Sequence, residues 1–98
     1  MWSIEPTAVL ASSGAESAIG VQTSAAVAAA APMLLGVMPM GADPDSIAFS
    51  AALNACGGAF IGVAQEHAAQ RGALAGGQAL SADISVATEV IRASKFSL

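Results

Sequence analysis

From Phe49 onward, bulky side chains recur along one helical line. Phe49, Leu53, Cys56, Phe60, Val63 and His67 are separated by four, three, four, three and four residues, and Leu74 lies seven beyond His67. That spacing puts them on one stripe of an amphipathic, coiled-coil-like helix. The helix has a marked start in Asp43-Pro44-Asp45-Ser46. Asp43 can cap the first amides, Pro44 suits the first helical position because its missing N–H costs nothing there, and Asp45 is favoured by the helix dipole. The pattern predicts a second helix over 44–75. Gly76-Gly77 then interrupts the stripe, and Leu80, Ile84, Ala87 and Ile91 resume the spacing in a shifted phase. Each glycine costs about 1 kcal/mol inside a helix, so 78–92 is expected as a weaker helical or mobile tail.

Upstream, an Ala/Ser-rich run from Pro6 to Ala31 predicts a first helix over 6–31. Pro6 can occupy its first turn, and the ring of Pro32 clashes with the carbonyl four residues back. Residues 32–43 combine prolines and glycines with bulky apolar residues, as in a packed connection rather than a helix. Helix 1 carries Val9, Leu10, Ile19, Val21 and Val27 among Ala, Ser and Gly, so it permits close helix approach but supplies little apolar bulk. The fold class expected is all-α: a single domain forming an antiparallel two-helix hairpin. Two such helices cannot close a core, and the helix 2 stripe would remain partly in water. A partner is expected to cover it, with Phe49, Leu53, Cys56, Phe60, Val63 and Leu74 as the contact residues.

Composition agrees. Of 98 residues, 25 are Ala and 10 are Gly, so a chain too short to bury a large share of its surface also has few bulky core formers. Ala favours helix, and strand formers are scarce, with no Tyr, one Trp and three Phe. The net charge is −4, and Arg71, Arg92 and Lys95 are the only basic residues, too few to neutralise a run of phosphates. Nucleic acid is not an expected partner. The first residues lack the basic segment of a Sec signal, so any export would use another signal.

Candidate chemistry is sparse. Cys56 and His67 share a face, but eleven residues at 1.5 Å rise separate them by roughly 16 Å, beyond hydrogen-bond reach. One Cys and one His form no metal-ligand cluster. Cys56 reads as a small buried hydrophobe and His67 as a buried or interface histidine. Gly58 and Gly62, in GAFIG, have a spacing that recurs in transmembrane dimers and that here more simply marks where helix 1 or a partner crosses helix 2. The carboxylates are scattered and no glycine-rich phosphate loop is present, so no enzyme activity and no cofactor are expected.

The stretch from Pro32 to Ser46, PMLLGVMPMGADPDS, resembles the linker and second-helix start of mycobacterial PE proteins. There an apolar run with a proline leads into Ala-Asp-x-x-Ser. The likeness continues through the Ala-rich second helix and the Ala/Gly segment from Leu74 to Gln78. It is closest to the short PE proteins encoded beside secretion genes. The resemblance implies an antiparallel hairpin that docks on a PPE protein to form a four-helix bundle. It further implies a chaperone that contacts the PPE partner, and export of the folded pair by type VII (ESX) secretion machinery. The protein would then be made in the cytoplasm and end up secreted or on the cell surface.

Two positions depart from the family pattern. The Pro-Glu pair near the N-terminus is inverted here, as Glu5-Pro6. The family's Tyr-x-x-x-Asp/Glu export signal would fall on Ser85 to Glu89, where the tyrosine is absent and Ser85 cannot replace its ring. The resemblance leaves open whether Glu89 suffices with neighbours such as Val86 and Val90, the signal has degenerated, or the partner carries recognition.

Two other readings fit the pattern. A small membrane hairpin would use the uncharged stretches 17–42 and 46–65, the second about as long as a bilayer span. Pro32 and Pro39 in the first, and Asn54 and Gln65 in the second, count against it. A self-associating helical protein would instead pair the helix 2 stripe with its own copy.

Overall fold

The computed structural model describes residues 3–97, and among them every regular element is helical: α1 (Pro6–Leu35) and α2 (Pro44–Phe96). Both helices begin where the sequence provides for it. The Val9 amide donates to the Glu5 carbonyl at 3.1 Å, which makes Glu5 the cap residue and Pro6 the first helical residue of α1. At α2 the Ile47 amide donates to the Asp43 carbonyl at 3.2 Å. The Asp43 carboxylate accepts the Ser46 amide at 3.0 Å and the Ser46 hydroxyl at 2.8 Å. Those hydrogen bonds, the amide first and the hydroxyl second, hold the Asp43 carboxyl below its ordinary value of 3.8.

The chain forms two compact units. One is the stretch Val21–Ala69, which contains the connection between the helices; the other joins the stretches up to Gly20 and from Gln70. In each, a segment of α1 packs on a segment of α2 running the opposite way.

In the Val21–Ala69 unit the less exposed positions include Thr23, Val27, Ala30, Leu34 and Val37 on one side and Ser50, Asn54, Gly57, Ile61, Ala64 and Ala68 on the other. Each set steps by threes and fours, the spacing of a helix–helix seam. Val27 and Ser50 are buried, and Ser50 settles its hydroxyl on the Ile47 carbonyl. The helices approach closely at Gly57, where a β-carbon would collide with the Leu34 carbonyl oxygen. Next to it the Asn54 amide grips the connection. It accepts the Val37 amide at 2.8 Å and donates to the Val37 carbonyl at 3.1 Å. A single side chain thus satisfies both backbone groups of a residue beyond the end of α1.

In the terminal unit the seam consists of Pro6, Val9, Ser13, Glu16 and Gly20 against Arg71, Ala75, Gln78, Ala82 and Ser85. Ala75 and Ala82 are buried, and polar contacts fix the register around them. The Ser13 hydroxyl donates to the Ala75 carbonyl at 2.7 Å, Arg71 pairs with Glu16 at 2.8 Å, and Gln78 Nε2 donates to Ser12 Oγ at 3.0 Å. Among the described residues, Gln78 Oε1 is buried with no hydrogen-bond partner.

Two boundaries differ from the sequence expectation. α1 runs through Pro32 to Leu35 instead of ending near 31. The proline lies in the last turn, where one hydrogen bond is lost, and Leu34 against Gly57 together with the Asn54 grip on Val37 holds the turn in place. α2 crosses Gly76-Gly77 without a break and continues to Phe96, so 78–92 is an integral part of the helix. The residues flanking the glycines, Ala75 and Gln78, are both tied to α1, and those contacts offset the propensity cost. The threes-and-fours spacing of the less exposed positions also keeps its phase across the pair.

Glycine substitutions should therefore act in opposite directions. Gly57→Ala should destabilise the fold by about 1–3 kcal/mol through overpacking, whereas Gly62→Ala, whose added carbon meets nothing within 4 Å, should stabilise it by up to about 1 kcal/mol. Urea melts followed by circular dichroism measure both. The cap predicts a pH dependence as well. A carboxyl with a lowered folded-state value contributes stability that is complete above its ordinary 3.8 and is lost as the pH falls from there through the lowered value. Asp43→Asn should flatten that part of the acid limb of a thermal-melt series.

Candidate partner-binding face

Every residue of the expected contact stripe lies one position ahead of a seam residue. Phe49, Leu53, Cys56, Phe60 and Val63 precede Ser50, Asn54, Gly57, Ile61 and Ala64, and in the terminal unit Leu74 precedes Ala75. One residue turns a helix by about 100°, so the stripe stands beside the packed seam, facing out. Phe49 is 62% exposed, Phe60 57% and Val63 67%, and Cys56 is an exposed free thiol.

The handedness of the helices identifies what accompanies the stripe. In an antiparallel pair of right-handed helices, positions just ahead of the seam on either helix fall on the same side. In the Val21–Ala69 unit α1 therefore adds Gln22, Ala26, Ala29 and Met33 to this face, and Met33 is 80% exposed. His67 continues the α2 row and is exposed too. On the opposite side of α2, one position after the seam, stand Ala51, Ala55, Gly58, Gly62 and Gln65. On α2 itself one flank is bulky and apolar and the other nearly flat, and on that second side α1 adds the half-exposed Leu35, whose side chain stands beside Gly58.

The sequence pattern missed the connection's share. Met38 and Met40 are exposed, and with Val37 and Pro39 they wall a cleft of about 330 Å³ against Phe49 and Leu53. Unbranched methionines there can adapt to varied shapes, a property that helical periodicity cannot reveal in a non-helical segment.

The two candidate export-signal residues lie in the terminal unit. Ser85 is half-buried and donates its hydroxyl to the Ser81 carbonyl at 2.9 Å, while the Glu89 carboxylate pairs with Arg92 at 2.8 Å. Both line a cleft of about 810 Å³ with Ser3, Ile4 and Ile84 among its other walls. Among the described residues no group of three or more His, Cys, Asp or Glu side chains is placed to hold a metal ion.

A family model described as the PE family matches residues 3–91, nearly the whole chain. The chain belongs to the PE family. Comparison of this PE chain with curated proteins and with solved structures gives no match. Membership accords with the two-helix, strand-free fold of the described residues. Within this PE fold, the outward stripe makes little contribution to the hairpin's own packing. Phe60→Asp should accordingly leave the helicity and melting of the isolated chain within about 0.5 kcal/mol of the parent, as far-UV circular dichroism can measure.

Proposed function

We propose that this PE-family chain is a non-enzymatic binding subunit that pairs with a PPE-family protein, completes a four-helix bundle with it, and is exported with it through a type VII secretion system. The pair would be made in the cytoplasm and end up secreted or on the cell surface. Chaperone contacts would run through the PPE partner.

The observation that carries the reading is surface. Among the described residues nineteen large apolar side chains are exposed, against three buried apolar residues, two of them alanines. A chain of this kind gains most of its burial from a partner, and its PE membership points to a PPE protein as that partner. Phe49, Leu53, Cys56, Phe60, Val63 and Leu74 are the proposed contacts, and Ser85 with Glu89 the proposed remnant of the export signal.

By length and composition both helices would also suffice to cross a membrane, which supports the membrane hairpin as a second reading. Against it, the uncharged stretches that would span, 17–42 and 46–65, contain Pro32 and Pro39 in the first and Asn54 and Gln65 in the second.

The test is circular dichroism and size-exclusion of the chain alone and co-expressed with a PPE-type protein encoded beside it. A helical one-to-one complex that melts above the chain alone supports the heterodimer. A stable species that ignores the partner would overturn it in favour of self-association, and recovery only in detergent would favour the membrane hairpin. In the complex Phe60→Asp should abolish pairing, since an unpaired carboxylate in an apolar interface costs several kcal/mol. Pairing of that variant at parental strength would remove the stripe from the interface.

A further inference from the structure

We infer that Met38 and Met40, in the connection between the helices, form an oxidation site on the folded chain: a hydroperoxide converts both thioethers to sulfoxides without unfolding the hairpin, and an apolar patch becomes polar. The inference concerns the free chain and does not depend on the pairing proposed above.

A peroxide must reach the sulfur to oxidise it, and here nothing in the chain stands in the way. Met38 is 80% exposed and Met40 96%. The segment that carries them is nevertheless held at both ends. Just before Met38, Asn54 binds both backbone groups of Val37 at 2.8 and 3.1 Å, and three residues past Met40 the Asp43 carboxylate caps α2. Neither methionine belongs to a helix or to the seam between the helices, so the fold has no packing to lose when their sulfurs gain an oxygen. Met33 of α1 is 80% exposed and reacts as well, but it is not a wall of the cleft. Met38 and Met40 differ from it in place: they wall the cleft of about 330 Å³ against Phe49 and Leu53. Sulfoxidation turns a flexible apolar side chain into a polar one, and two walls of one cleft change character together.

In the reaction a sulfur lone pair attacks one peroxide oxygen, the O–O bond breaks and an S–O bond forms. With hydrogen peroxide, the proton of the attacked oxygen passes to the departing hydroxide, which leaves as water. The sulfur loses the two electrons that the peroxide gains. Cys56, an exposed free thiol, reacts with peroxide too, but a thiol reductant reverses its sulfenic acid, whereas a sulfoxide needs methionine sulfoxide reductases.

The experiment treats the full chain with hydrogen peroxide at neutral pH, reverses the Cys56 products with a thiol reductant, and maps the added oxygen by tandem mass spectrometry against free methionine in the same tube. Met38 and Met40 should each gain one oxygen at the rate of the free amino acid, with the far-UV spectrum and melting curve unchanged. The oxidised chain should elute earlier from a hydrophobic-interaction column, and the two epimer-specific reductases should restore the parental elution. The double variant Met38→Leu/Met40→Leu should lose most of that shift although its Met33 is still oxidised. Protection of either sulfur relative to free methionine, loss of helicity on oxidation, an unshifted elution, or a full shift in the double variant would each overturn the inference and leave the heterodimer reading untouched.

Discussion

The structure depends on how narrow the seam between α1 and α2 is. Gly57 lets the helices meet with the Leu34 carbonyl against a bare α-carbon, and alanine, serine and glycine at about half of the seam positions keep it thin. Helices that pack on small residues approach closely but remove little apolar surface from water, and the large side chains are left to point elsewhere. The sparse core and the crowded outer face are two consequences of one choice of residues.

A seam with so little hydrophobic content needs another source of register. Polar groups supply it: Asn54 on both backbone groups of Val37, Ser13 on the Ala75 carbonyl, Arg71 on Glu16 and Gln78 on Ser12. Each contact is directional, so a slip of one turn would break it, whereas alanines sliding past alanines would lose almost nothing. The individual energies are modest, around 1 kcal/mol for a hydrogen bond and less for a half-exposed ion pair. Their contribution is to single out one alignment among several of similar burial.

This division also explains what could be read in the sequence. The helix starts were legible because capping chemistry is local: Pro6 and Asp43-Pro44 stand where α1 and α2 begin. The periodic stripe was legible because Phe, Leu and Val mark it. The seam itself was not, because Asn54, Gly57, Arg71 and Gln78 do not look like core residues and the eye follows bulk to the neighbouring face. Pro32 and Gly76-Gly77 misled for a related reason. Their local cost is real, but contacts from residues far away in the chain hold the helices through them. The family resemblance carried by the linker and the Asp43 cap is matched by the PE model over residues 3–91, yet it says nothing about which face of α2 is free.

The two flanks of α2 are unequal as docking surfaces, and magnitudes decide between them. Fully burying a Phe, Leu or Val side chain is worth about 1.5–3 kcal/mol, while an alanine methyl offers about 0.8 and a glycine no side chain at all. Position for position, the flank carrying Phe49, Leu53, Phe60 and Val63 can contribute roughly two to four times as much as the one carrying Ala51, Ala55, Gly58 and Gly62. Association must also overcome a cost of about 4 kcal/mol or more in lost freedom of motion, which a surface of alanines and glycines offsets only with difficulty. A partner seated on the bulky flank meets Met33 of α1 as well, so both helices of the hairpin contribute to one continuous apolar surface within the Val21–Ala69 unit. The other side of α2 has little apolar surface of its own to hide, and Leu35 of α1, beside Gly58, is the bulky side chain that stands there.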